Sequence, residues 1–358
     1  MEKAHKYRRL NQIRYTLPHV SQVALAKYCA KAASGELPEV HATRFIREAR
    51  NSEALQDTKF GKLIVTISLE KAKGGTVDVE VVHPLAYLWA AAQCERYATF
   101  LRHALDTHVP SATNPWDIIL YADEAKPGNR LKTDNRRSVQ AVYMNILSLG
   151  SAVLSKEDTW LTLGAVRSCD IFECEGGMAQ LFGALLKMMF SSTSHDLRYS
   201  GVGLDLHGGG QMRLFAKVGC ILGDECALHS VWMNKGSGGT KCCIHCINIT
   251  DKDWKCAPFV AGHHILKPYN QVCRLSDCML HSRESVLDII DKLVAAKHTL
   301  GKGEFGELEQ LHGWSYSKHS LLVDPWLRGI VDPTQHNVFD WVHVLLQGLW
   351  HMLFISSC

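Results

Sequence analysis

Several features are missing from this sequence, and each absence narrows what the chain can be. No apolar run reaches the roughly 18–20 residues needed to span a bilayer. The first long apolar run comes too late for a secretory signal, so the chain is expected to be nuclear or cytoplasmic, neither secreted nor membrane-bound. Glycine runs occur at 208–210 and 236–239, but no Lys-Ser/Thr follows them and no G-x-G-x-x-G frame contains them. They read as turns, not phosphate cradles. There is no G-x-S-x-G elbow, and spacing pairs no cysteine with a base. A strong charge imbalance is absent too: a net +3 over 358 residues does not by itself argue for nucleic acid.

What is present is a chain that is 46% hydrophobic, enough for a sizeable core in two or more lobes. Thirteen cysteines, clustered and odd in number, favour reduced thiols and metal binding over a disulfide framework. Positive charge is concentrated locally. Lys3, Lys6, Arg8, Arg9 and Arg14 form a basic arm against Glu2, and a second basic tract, KPGNRLKTDNRR, spans 126–137. Both are candidate phosphate contacts; for the arm, a solvated N-terminal helix is the plainer reading.

Along the chain, residues 1 to about 58 read as helical and polar. Lys62–Leu69 and Val77–Val82 read as a hairpin across KAKGGT, and LAYLWAAAQCERYATFLRHAL has helical spacing. The stretch 110–115, PSATNP, marks a boundary. Trp116–Ala122, Ser138–Ile146 and Trp160–Val166 then read as an antiparallel meander, Gly176–Phe190 as an amphipathic helix, and Val202–Leu206 with Gln211–Leu222 as further strands. This pattern predicts a mixed α/β (α+β) chain, with an RNase H-like mixed sheet, flanking helices and a helical Cys/His insertion. Its regions are an N-terminal part at 1–110 with the basic arm and hairpin, a core at 111–250, the insertion at 251–330, and a returning core helix at 331–358. In such a fold the first and fourth strands are neighbours, so Asp123 and Asp224, each ending an apolar strand, would meet. Two such carboxylates suit Mg²⁺ or Mn²⁺ and phosphodiester chemistry. The alternative is that both acids simply open loops or cap helices, and Glu124 and Glu225 beside them leave the choice within each pair open.

Cys243 and Cys246 form a C-x-x-C half-site for Zn²⁺. The other half comes from one of two groups: His336, Asp340 and His343, or Cys273, Cys278 and His281.

The order WDIILYAD (116–123), CILGDE (220–225), CCIHC (242–246) and QHNVFDWVHVLLQGL (335–349) resembles the transposases of the Plavaka/KDZ group, which are related to the CACTA transposases of eukaryotic DNA transposons. The likeness runs over roughly residues 115–350, with few identical positions. It implies that Asp123 and Asp224 are the first two acids of a DDE/D triad, Cys243 and Cys246 the zinc knuckle, and Asp340 and His343 a D-x-x-H pair. The activity implied is Mg²⁺-dependent DNA strand cleavage and transfer at transposon ends, with DNA as partner and a homo-oligomer as the acting form. Two departures stand out: Phe339 replaces the usual proline, and the third acid is expected beyond the D-x-x-H helix, where this chain ends. A truncated, inactive copy is therefore expected as well. Two further readings are a non-catalytic, zinc-stabilised DNA- or protein-binding remnant, and an unrelated metal-dependent nuclease.

Overall fold

The computed structural model describes residue 34 and residues 57–126, 138–191, 195–251 and 266–340. The chain divides into residues 1–55 and a unit from 56 to 358, and it is the second unit that is described below. The basic arm, most of the 126–137 tract and His343 lie outside the described residues.

The unit opens with a hairpin, β1 (Ile64–Glu70) and β2 (Thr76–Val82), closed by a turn in which Gly74 and Gly75 both take positive φ. The helical stretch that follows is two helices rather than one. Helix α1 (Pro84–Ala92) starts with proline at its first position, where no N–H is needed, and α2 (Glu95–Thr107) restarts after Cys94. The expected meander is β3 (Trp116–Ala125), β4 (Val139–Ile146) and β5 (Leu161–Arg167). Helix α3 (Met178–Phe190) is buried over most of its surface, from Met178 and Phe182 to Phe190, so it is a core helix rather than a one-faced amphipathic one. A small hairpin, β6 (Val202–Asp205) with β7 (Gln211–Leu214), leads into β8 (Ala216–Gly223) and then α4 (Glu225–Trp232). Helices α5 (Arg283–Lys297) and α6 (Lys302–His312) follow, and β9 (Asn337–Phe339) is the last strand.

Seven strands form one sheet in the order β9-β8-β3-β4-β5-β2-β1. β4 is antiparallel to both its neighbours, β3 and β5, while β8 runs parallel to β3 and β9 parallel to β8. Counted from β3, the five strands from β5 to the β9 edge lie in the order 3-2-1-4-5. The protein is thus a mixed α/β fold, as its sequence pattern predicts.

The structure departs from the sequence-based expectation in several places. The hairpin at 64–82 is no separate N-terminal element: β2 joins the open edge of β5 through Val81 and Gly164. Asn337–Phe339, expected within a helix, pairs as a strand with Ile221–Gly223. Three residues carry too little periodicity to decide between helix and strand; an unpaired parallel edge of β8 decides it. The glycine-rich stretch 301–307 begins α6, with Gly301 as its N-cap. The 283–331 segment also does not stand apart, because Val286, Ile290, Leu293, Trp314, Leu322 and Leu327 join the main apolar cluster.

Strand alternation sets the faces of β3. Trp116, Ile118, Leu120 and Ala122 are fully buried, and each such apolar side chain contributes roughly 1.5–3 kcal/mol. Tyr121 and Asp123 point from the opposite face and are half-buried. Among the described residues no helix is long and apolar enough to cross a membrane.

Candidate functional site

Register brings three acids together. Ala122 pairs with Gly223, and Gly223 with Phe339, so Asp123, Asp224 and Asp340 are the next residues on three adjacent parallel strands. Neighbouring strands lie about 4.8 Å apart, which puts Asp224 between the other two. The Asp340 N–H extends the ladder by donating to the Gly223 carbonyl at 2.9 Å. Asp123 and Asp340 line one cavity with Tyr121, Tyr143, Leu154 and Trp160. Tyr121 registers all three charges: burial foremost, then Asp123, Asp340 and Asp224, push its hydroxyl well above the ordinary tyrosine range.

The structure also separates each acid from its neighbour in sequence. Alternation turns Glu124 to the other face of β3, where it accepts from Ser168 Oγ at 2.8 Å and pairs with Lys126 at 2.9 Å. Burial alone would raise Glu124, but these hydrogen bonds win and hold its carboxyl below the usual range. Glu225 is exposed and faces His229 at 3.8 Å. Asp224 does cap α4, Oδ1 accepting from the Ala227 N–H at 2.7 Å, so the capping alternative is true of it. Capping and ligation are compatible, since the cap occupies that one oxygen.

The cysteines form a second group. Cys246 bridges to Leu280, Ile247 N–H donates to Met279 carbonyl at 2.8 Å, and His281 N–H donates to His245 carbonyl at 2.8 Å. This short antiparallel contact carries Cys278 to the knuckle. Cys246 hydrogen bonds with both Cys243 and Cys278; its proton shared with Cys243 pushes the Cys243 thiol down and, with burial and Cys278, the Cys246 thiol up. Cys243, Cys246 and Cys278 line one cavity, and soft sulfur donors suit Zn²⁺, although their three sulfurs are not all within 4.8 Å of one another. The 273–281 alternative is thus favoured for the second half-site, but only in part. Cys273 is exposed and directed at the Gln271 carbonyl, while His281 Nδ1 is bonded to Ser285 Oγ at 2.8 Å. His336 is not among the residues lining the cysteine cavity: its Nδ1 accepts from the Asp332 N–H at 3.1 Å, and its charged neighbours are Asp332, Lys217, Asp117 and Arg283. Asp340 itself belongs with the acids.

Sequence reading missed one cluster. Ligand atoms of Glu70, Glu175 and His319 lie within 4.8 Å of one another, the one such group of three among the described residues. Buried Gln180 ties the main chains together, accepting from Glu70 N–H at 2.6 Å and donating to the Glu175 carbonyl at 2.7 Å. Lys318 already offsets part of this group's charge, its Nζ reaching Glu70 at 2.5 Å and Glu175 at 3.9 Å. Residues so far apart in sequence leave no local signal. The carboxylates of Asp123, Asp224 and Asp340 are spread more widely than this group.

Compared with models of known protein families and with curated proteins, the sequence matches none.

Proposed function

We propose that this chain is a divalent-metal-dependent phosphoryl-transfer protein of RNase H-like, transposase type, acting on DNA. The observation that carries the reading is the in-register trio Asp123, Asp224 and Asp340 at the ends of three adjacent parallel strands, within a sheet of order 3-2-1-4-5. In this reading Asp340 serves as the third acid, in place of one expected farther along the chain. Bound between these carboxylates, Mg²⁺ or Mn²⁺ would activate an attacking hydroxyl and stabilise the leaving oxygen of a phosphodiester. The protein's own contribution is to fix the carboxylates. Asp224 is held by its cap to Ala227, Asp340 by its N–H on Gly223, and Asp123 by the β3–β4 ladder through Ala141. Lys126, paired with Glu124 and also feeling the Asp224 charge, is a candidate to meet a phosphate.

In the same proposal Cys243, Cys246 and Cys278 hold a structural Zn²⁺ that pins the 242–250 loop to the chain ahead of α5. The test is cleavage of labelled duplex and single-stranded DNA with Mg²⁺, Mn²⁺ or EDTA. Metal-dependent nicking abolished by Asp123→Asn supports the reading. DNA binding without cleavage under any metal would instead leave the zinc-stabilised binding remnant.

A further inference from the structure

We propose that the cavity beside the acids is a stacking subsite for one unpaired nucleobase of the DNA strand, seated against Tyr143 and Trp160. This rests on the phosphoryl-transfer reading above and names the substrate feature that reading leaves open.

The sheet builds the subsite. Tyr121 is two residues before Asp123 and so shares its face; Tyr143 is its cross-strand partner; Trp160 stands immediately ahead of β5. The Tyr121 and Tyr143 rings stack with centroids 5.9 Å apart at 29°, and Trp160 meets Tyr121 edge-on at 6.0 Å and 65°. The indole is fixed because Nε1 donates to the Leu154 carbonyl at 2.9 Å. All three aromatics are only partly buried, and they line an open cavity of about 560 Å³ together with Asp123 and Asp340.

Three partly exposed aromatic rings on the solvent side of a sheet are not needed to close the core, which lies on the opposite face with Leu120 and Ala122. Their chemistry suits a flat, uncharged π-system. A purine or pyrimidine is such a system, and its phosphate would reach the acids lining the same cavity. Within a duplex both faces of a base are covered by its neighbours, so only an unpaired base offers a face to these rings. Ser155 and Glu157 at the rim supply polar atoms for the base edge.

The experiment uses the full chain and DNA carrying 2-aminopurine, whose fluorescence is quenched by stacking. Three DNAs are compared: single-stranded, fully paired, and paired except for the probe base. Quenching with the first and third but not the second is expected, and about tenfold weaker binding of those two by Trp160→Ala and by Tyr143→Ala, the worth of one base–aromatic stack. Should Trp160→Ala fail to fold by circular dichroism, Trp160→Phe must retain quenching while Trp160→Leu loses it. No quenching by the wild-type chain, or quenching unchanged in Trp160→Ala, overturns the proposal. Cleavage is followed in the same samples. Metal-dependent cleavage without quenching overturns the stacking subsite alone, while quenching without cleavage under any metal supports the subsite and refutes the phosphoryl-transfer reading.

Discussion

Asp340 donates its main-chain N–H to the carbonyl of Gly223 at 2.9 Å, so the residue after β9 is locked one position from Asp224. The two main chains cannot separate here without breaking a ladder hydrogen bond. If these acids share metals with Asp123, neutralising any one removes several kcal/mol of charge stabilisation. Asp123→Asn, Asp224→Asn and Asp340→Asn are each expected to lower metal-dependent DNA cleavage more than about 100-fold with the circular dichroism spectrum unchanged. Asparagine also caps helices well, so Asp224→Asn keeps α4 intact whereas Asp224→Ala loses about 1 kcal/mol as well. Unchanged cleavage in Asp340→Asn would remove it from the site.

The second prediction concerns the thiols. Cys246→Ser and Cys278→Ser are each expected to lose about one equivalent of zinc and to melt at lower temperature, because a structural zinc contributes folding energy directly. His336→Ala is expected to keep its zinc, since that ring is bonded to the Asp332 N–H instead. Metal analysis of the purified variants decides between them; zinc lost from His336→Ala but kept by Cys278→Ser would reverse the ligand assignment.

How much of this was legible beforehand depends on how local each signal is. The alternation of Ile64–Glu70 and the turn glycines after it fix a hairpin from short-range chemistry, and the apolar runs ending at Asp123 and Asp224 imply their strands. Their adjacency follows from strand order alone. The strand at Asn337–Phe339 was not legible, because its state is set by the edge of β8 more than a hundred residues away. Cys278 shows the same limit: spacing left two partner sets open for the C-x-x-C pair, and the Cys246–Leu280 bridge chose between them. Glu70, Glu175 and His319 had no sequence signal at all, since only Gln180 and the packing of three separate segments unite them.

A third prediction tests how the knuckle's approach is held. Gly313 ends α6 at φ 74°, and a β-carbon there would sit 2.2 Å from the Lys241 carbonyl oxygen. Both the left-handed backbone and the main-chain clash oppose any side chain. Gly313→Ala is expected to destabilise by more than about 1–3 kcal/mol in urea unfolding. A change within 0.5 kcal/mol, the usual range for an uninvolved surface site, would show that this contact is not made.

The fourth prediction is a pH dependence centred on the neighbouring His312. Burial first, then Lys241 and Lys292, pushes its imidazole down to about 4 in the folded chain, against about 6.5 when unfolded. Between those values the unfolded chain binds a proton that the folded chain refuses, so stability is complete above about pH 6.5 and falls as pH drops toward 4. The loss from this one group is about 1–3 kcal/mol across the window. Buried His83, His229, His281 and His336 are pushed down as well and act with the same sign, so the wild-type curve alone cannot isolate His312. The difference from His312→Gln can. Glutamine takes up no proton, and whatever it costs in overall stability, the urea midpoint of that variant should fall less steeply between pH 7.5 and 5 than the wild type's. Parallel curves would mean that His312 is charged in the folded chain and stays hydrated beside Lys241.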